Sequence, residues 1–232
     1  MKLLSTGNPK LMKGEKQGYL SFVLHLAPSD LSGYNTCPMA SAGCRAACLN
    51  TAGRGGIFKK GESTNVIQKA RIAKTRMFFE DRETFMLQLV REVKAAIRQA
   101  EKKNMIPCFR LNGTSDIRWE TVSIGGHKNI MEMFPQVQFY DYTKLTNRRN
   151  LPANYHLTFS RSESNDSALS TVEQNIAVVF NTLPGVYLGR PVISGDDTDL
   201  RFLDPVGVVV GLKAKGKARK DTSGFTVLTQ GV

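Results

Sequence analysis

Four cysteines are the side chains in this sequence best suited to chemistry, and three of them share one short segment. Cys37, Cys44 and Cys48 lie in Cys-Pro-Met-Ala-Ser-Ala-Gly-Cys-Arg-Ala-Ala-Cys, whereas Cys108 stands alone. A single cysteine ordinarily packs as a small hydrophobe. This segment, however, is built from Ala, Ser, Gly and Pro and has few large side chains to bury. The competing chemistry is metal binding. Cys44 and Cys48 are four apart, so one helical turn places both sulfurs on one face. Cys37 precedes them through a Pro- and Gly-containing turn able to bring its sulfur round. Small residues between ligands let backbone N–H groups reach sulfur and stabilise thiolates and sulfides. Zinc ribbons and fingers use paired knuckles; only one such pair is present and no His follows at finger spacing. An iron–sulfur cluster is therefore expected ahead of zinc. A 4Fe–4S cubane takes four ligands, and the segment supplies three. Either Cys108 closes the site from elsewhere or one iron stays open for a small molecule.

The elements that must position these thiols are short β-branched and aromatic runs, each ending in a polar cluster. They fall at 22–27, 108–111, 137–140, 155–159, 176–180, 191–193 and 208–210, with 225–228 as an eighth strand or a hairpin return. Two helices separate the first pair. In 63–79, Val66, Ala70, Ala73 and Met77 recur on one face behind Ser63 or Thr64 as N-cap. In 82–103, Met86, Leu89, Val90, Val93, Ile97 and Ala100 form a stripe, with Asp81 placed to cap it and Pro107 preventing its continuation. Helical turns are predicted at 129–134 and 145–149, and a short helix at 166–174. Strands separated by helices imply a mainly parallel sheet with helices outside. The fold expected is α/β: a partial or irregular TIM-like barrel, because a full eight-fold barrel takes ~250 residues and this chain has 232. An open doubly wound sheet is the alternative. No Pro-, Gly- or Ser-rich linker divides the chain, so residues 1–232 read as one domain carrying a cysteine-rich loop at about 34–56.

Parallel strands bring their polar ends to one rim, where the cysteine segment also falls. Arg110, Asn112, Asp116, Lys144, Arg161, Asn181, Asp196 and Lys213 are the candidate ligand-binding residues there. Cations and carboxylates at successive strand ends suit an anionic or zwitterionic small molecule. Cys108 alternates with Arg110 and Asn112 on one strand face, four residues or about 13 Å below Asn112. That depth counts against it as a ligand. Asp196-Asp197-Thr198-Asp199 lacks the remaining ligands of a calcium loop and is placed to cap a turn at Leu200-Arg201-Phe202. His25 sits in an apolar run as a core histidine, His127 follows Gly125-Gly126 in a loop, and His156 alternates with Tyr155 on a strand. Gly53-Arg54-Gly55-Gly56 lacks the Lys-Ser/Thr ending of a phosphate loop.

Composition narrows the classes further. Hydrophobic residues make up 41% of the chain and charged residues 22%, which excludes a disordered polyelectrolyte. No run approaches the ~20 apolar residues of a bilayer span, and the first residues lack the apolar core of a secretory signal. With four cysteines and no signal, a reducing compartment is expected. Thirty-two Lys and Arg against twenty Asp and Glu leave a net charge of +12, favouring an anionic partner. Lys213, Lys215, Lys217, Arg219 and Lys220 concentrate part of it near the C-terminus, a composition able to touch nucleic acid or phosphate.

The stretch at 37–55, Arg110-Leu111-Asn112-Gly113-Thr114-Ser115-Asp116, and 195–224 together resemble the phage gene product 88 family. That resemblance implies a phage-encoded protein acting in the host cytoplasm. More distantly, the chain is similar to radical S-adenosylmethionine enzymes, which place three cysteines after the first strand of a partial α/β barrel. Cys37, Cys44 and Cys48 occupy that topological place, although only Cys44 and Cys48 keep a three-residue gap. This likeness implies a cluster with an iron open to S-adenosylmethionine. The leading expectation is an iron–sulfur protein with a rim site, possible enzyme chemistry being of the radical S-adenosylmethionine kind. The alternative is a nucleic-acid-binding protein whose loop is held by zinc or a cluster, and a third is a metal-stapled interaction protein.

Overall fold

The apolar runs of the sequence pair into one ten-stranded sheet. The structure is a computed structural model and describes residues 1–6 and 9–229. In chain order the elements are β1 (Leu4–Ser5), α1 (Pro9–Glu15), β2 (Tyr19–Leu24), α2 (Ala42–Ala46), α3 (Val66–Glu80), α4 (Arg82–Lys102), β3 (Ile106–Arg110) and α5 (Ile130–Met133). They continue with β4 (Gln138–Thr143), β5 (Tyr155–Ser160), β6 (Ile176–Phe180), β7 (Val186–Tyr187), β8 (Arg190–Ser194), β9 (Val209–Lys213) and β10 (Thr226–Val227). The strand order is β1-β2-β3-β4-β5-β6-β9-β8-β7, with β10 pairing β6 off this path. Every pair from β2 to β8 is parallel, as is β10 with β6, and the edge strands β1 and β7 run antiparallel to their neighbours.

The α/β class holds, and the sheet is not closed: β1 and β7 are separate edges. From β2 to β6 the strands sit side by side in sequence order. Right-handed crossovers made in one direction put their connections on one face. The parallel return from β8 to β9 runs backwards across the sheet, and the same handedness sends that connection to the other face. The sheet is thus open and mostly parallel rather than a closed barrel. At its end, 225–228 contributes a two-residue strand parallel to β6 and makes no hairpin.

Burial separates the faces. Phe22, Phe109, Phe139 and Tyr155 are in register across β2 to β5, and their rings pack at 5.3 Å (Phe22–Phe109) and 5.5 Å (Phe109–Phe139). This row meets Phe85, Met86, Leu89, Val93, Ala96 and Ala100 of α4 in the main core. Asp81 caps α4 by accepting from the Thr84 N–H at 3.2 Å, as its sequence position predicts. The helix α3 differs from expectation. Asn65 is its cap, and its buried residues are Gln68, Thr75 and Phe78, while Val66 is 78% exposed. The reason is that α3 covers a loop whose backbone groups need partners. Gln68 donates to the Gly55 carbonyl at 3.0 Å, and Thr75 accepts from the Ala27 N–H at 2.8 Å. A turn forms at 130–133 as predicted, 145–149 is irregular, and 166–174 yields only a 3-10 turn at Asp166–Ala168. No helix among the described residues is long and apolar enough to cross a membrane.

Candidate functional site

The cysteine segment lies across the C-terminal ends of the strands because three neighbouring loops hold it there. Thr36 accepts from the Asp116 N–H at 2.8 Å after β3, and its hydroxyl donates to the Ala27 carbonyl at 2.6 Å after β2. Glu163, after β5, accepts from the Gly43 N–H at 2.7 Å and from the Ser41 hydroxyl at 2.8 Å. A side chain at position 43 would meet Ser223 Oγ at 2.1 Å and Phe225 Cβ at 2.8 Å, so only glycine allows this docking. Gly113 is equally close-packed: a Cβ there would come within 2.7 Å of His25 and of the Leu24 carbonyl.

Cys37, Cys44 and Cys48 are free and partly buried at this rim. The single-face helix expected for Cys44 and Cys48 does not form. The helix α2 ends at Ala46, and Cys48 instead caps a 3-10 turn at Leu49–Thr51, where its sulfur accepts from the Asn50 N–H at 3.5 Å. Pairs of small residues without a longer amphipathic pattern leave such a helix nothing to continue into. The thiols nevertheless share one electrostatic neighbourhood. Burial pushes the Cys48 thiol up to about 11, with Cys44 and Cys37 pushing the same way and Arg71 opposing. Burial also raises Cys37, while a backbone hydrogen bond from Ser29 and one from the Thr36 side chain counteract it. Ser29 takes the left-handed φ of 48°, a strained value for a residue with a Cβ. Arg71, on α3, donates to Asn50 Oδ1 at 2.5 Å and keeps its Nε buried without a hydrogen bond. As these side chains stand, no three His, Cys, Asp or Glu among the described residues are close enough to hold a metal ion.

Cys108 is elsewhere. It is fully buried on the sheet face opposite the main core, beside Tyr140 and Leu200, with its sulfur 3.1 Å from Ser21 Oγ. Burial pushes its thiol up to about 12. The strand alternation foresees this depth, since Cys108 and Arg110 share the face. The backward β8–β9 return packs there too. Its Asp199 pairs with Arg110 at 3.1 Å, and Arg110 lies over the Tyr142 ring at 4.7 Å. Of the run expected to cap the following turn, Thr198 accepts from the Leu200 N–H at 3.2 Å. Around this pair, Arg110 Nε, Tyr142 Oη, His156 Nε2, Thr158 Oγ1 and Arg201 Nε are buried with no hydrogen-bond partner. Tyr142 and Thr158 are direct cross-strand neighbours. His25, on the same face of β2's extension, is held neutral, its pKa lowered to about 3 by burial and by Arg71, Arg110 and Lys74.

The other predicted rim residues divide. Asp116 and Lys144 come together, since Asp116 Oδ2 accepts from the Lys144 N–H at 2.8 Å, and Lys144 Nζ donates to Ser160 Oγ at 2.6 Å. Asn112 organises its own loop, its Oδ1 accepting from Ser115, Ile117 and Trp119. Arg161 staples Asp166 at 2.7 Å to the Phe225 carbonyl at 3.1 Å. Asn181 accepts from the Thr229 N–H at 2.8 Å just after β6, whose Val179 packs against the same small cluster as Cys44. Asp196 pairs with Lys215 at 2.6 Å beside exposed Lys213. His127 sits in a small bridge with Ile124. Sequence reasoning missed Arg71 and Ser29; neither carries a local signal, because their roles arise only when α3 and the 28–36 loop fold over the segment. Asp141, a strand-end polar residue, turns out instead to be buried with Tyr155, Arg148 and Glu120, where Tyr155 donates to it at 2.8 Å and burial pushes it up to about 7. Two open surface concavities, of about 640 and 570 Å³, lie around 123–128 and around Pro135 and Pro152, and neither includes a cysteine.

No curated protein and no solved structure matches this sequence. A sequence model described as gene product 88 matches residues 2–227. The match takes in the cysteine segment, the loop after β3 and the 195–224 region together, and the chain belongs to the phage gene product 88 family.

Proposed function

We propose that the rim segment is a ligand loop for an iron–sulfur cluster of the 4Fe–4S type, held by Cys37, Cys44 and Cys48. The observation that carries this is that one rim loop holds three free thiols, where N–H groups and a cation offset part of the burial that disfavours their thiolates. Asn50 donates to Cys48, a Ser29 backbone group reaches Cys37, and Arg71 stands by Cys48. Thiolates bind iron and zinc as anions, so positive charge and N–H donors nearby lower the cost of forming them. Binding requires the cysteine side chains to turn inward from where they stand. A singly wound run of parallel strands with its cysteines at the C-terminal rim supports a partial-barrel reading of the sheet. Beneath the rim, Arg110, Tyr142, His156 and Thr158 offer unmet hydrogen-bonding groups, which suit an anionic or zwitterionic small molecule such as S-adenosylmethionine. A cluster bound above that face gives the protein redox or radical chemistry; the residues below orient the ligand.

Anaerobic purification followed by iron, sulfide and zinc analysis tests this. Iron and sulfide in equal amounts, with a broad visible absorption, are expected. Stoichiometric zinc without sulfide overturns it. That result would favour the second reading, a nucleic-acid-binding protein with a structural zinc. Its supporting observation is that the exposed cations Lys215, Lys217, Arg219 and Lys220 cap and fill a 3-10 turn packed against the Leu49–Thr51 turn that follows Cys48. Loss of DNA affinity with rising salt would then be the signature.

A further inference from the structure

Where α3 crosses the ends of β2 and β3, four basic side chains meet over one small area. We propose that Arg71, Lys74, Arg110 and His25 form a binding site for a phosphate group. The site uses no cysteine sulfur, so it stands or falls separately from the cluster reading.

The backbone fixes the arrangement. Val23 of β2 is in register with Arg110 of β3, so both side chains stand on one face of the sheet. His25 follows two residues later on that face, about 7 Å nearer the rim. Two contacts pin α3 above this point. Thr75 Oγ1 accepts from the Ala27 N–H at 2.8 Å, and Lys74 Nζ donates to the Leu3 carbonyl at 2.8 Å. Leu4 pairs with Leu24 in the antiparallel β1–β2 ladder, which sets Leu3 opposite His25. Arg71 comes one helical turn before Thr75 and so faces the same strand ends. All four basic side chains are half-buried and open in part to solvent.

Their donors are only partly used. Arg71 gives Nη1 to Asn50 Oδ1 at 2.5 Å, and its Nε has no hydrogen-bond partner. Arg110 gives Nη1 to Asp199 at 3.1 Å, and its Nε is unmet as well. Lys74 has three N–H bonds, and Leu3 takes one. The charges are also unbalanced. Asp199 answers Arg110. Glu92 acts on Lys74, but its oxygens are occupied by the Leu3 and Leu4 N–H groups. No carboxylate acts on Arg71, whose pKa burial lowers. Arg71, Arg110 and Lys74 all act on the His25 ring, in keeping with the backbone geometry. Gathering cations where water is scarce costs stability until an anion joins them. Guanidinium and ammonium groups are the usual partners of phosphate oxygens, and a neutral imidazole adds one N–H. Donors that arrive from a helix and from two strands suit a tetrahedral oxyanion better than a planar carboxylate. Free phosphate and the phosphate of a nucleotide offer the same oxygens.

The test titrates the full chain, as purified, with inorganic phosphate and separately with adenosine monophosphate at constant ionic strength. Heat is measured together with the ring-proton resonances of the three histidines. Saturable one-to-one binding that shifts His25 and leaves His127 in place is expected. Arg71→Gln should weaken it about tenfold or more, as for one lost charge-assisted hydrogen bond. Lys94→Gln, the same charge change at an exposed position of α4, should leave it unchanged. Should Arg71→Gln fail to fold, Lys74→Gln takes its place with the same expected loss. Tighter binding of the nucleotide supports the site with a nucleotide as source, and equal binding supports it with free phosphate. Titrations that do not saturate, or an Arg71→Gln affinity equal to wild type, overturn the site. So does an equal loss in Lys94→Gln, which reduces the effect to the attraction of a chain of net charge +12 for any anion. A chain that binds phosphate but no iron keeps this site and loses the cluster reading; one that binds a cluster but no phosphate does the reverse.

Discussion

The two faces of the same sheet are built on opposite principles. On the helix-covered face, Phe22, Phe109, Phe139 and Tyr155 line up across four strands and pack into one apolar cluster. On the other, the same strands present Ser21, Cys108, Arg110, Tyr140, Tyr142, His156 and Thr158. The first face is explained by removing apolar surface from water. The second buries an ion pair and several unmet polar atoms, each of which costs stability unless something completes it. A chain selected for stability alone would fill both faces alike. The contrast marks the face on which this protein gives up stability.

The largest effects should come from truncating either face, and rescue tells the faces apart. Phe109→Ala should cost about 3–5 kcal/mol, as for other buried aromatics, measured by urea unfolding. No single second substitution nearby should restore it. Arg110→Met should cost a similar amount, about 3–5 kcal/mol, because it takes the guanidinium partner away from a buried carboxylate. Adding Asp199→Leu should recover most of that loss, since a well-packed apolar pair replaces an ion pair at little net cost. A double variant as unstable as the single one would mean that Asp199 is held mainly by other groups.

A smaller effect is pH-dependent. Folded His25 stays neutral down to about pH 3, against an ordinary value of 6.5. Between those limits the unfolded chain binds the extra proton. Stability linked to His25 is thus fully present above pH 6.5 and falls on acidification, by up to about 1.4 kcal/mol per pH unit. His25→Gln should flatten the stability–pH curve between pH 6 and 4 relative to wild type. An unchanged slope would place the imidazole in contact with water. The smallest effect expected is that of Cys108→Ala, about 1 kcal/mol from a lost contact with Ser21 and a small void. Iron content should stay at the wild-type value, whereas Cys37→Ser, Cys44→Ser and Cys48→Ser should each reduce it.

Much of this was legible in the residues. The run 176–180 is a strand with those same bounds, 155–159 needs only one more residue, and α4 starts at the cap that Asp81 provides. Local period and capping chemistry decide such elements, and both are written in consecutive residues. The buried face of α3 was not legible, because Gln68 and Thr75 are buried for the sake of Gly55 and Ala27, 13 and 48 positions away. Cys108 was readable as too deep for the rim, since alternation along a strand sets depth.

What the sequence determined by itself is most of the inventory: the central strands, though the first is Tyr19–Leu24 and not 22–27, the long helix α4, and three thiols in one small-residue loop; α1, β1 and β7 carried no such signal. Short-range sterics and hydrogen bonding suffice for that. The tertiary structure alone decided the company each side chain keeps. The backward β8–β9 return sets Asp199 against Arg110 across 89 positions, and the lacing of two strand-end loops sets Asp116 beside Cys37. Contacts of that range depend on strand order and crossover direction, which arise from burying the whole sheet at once, and no window of neighbouring residues contains them.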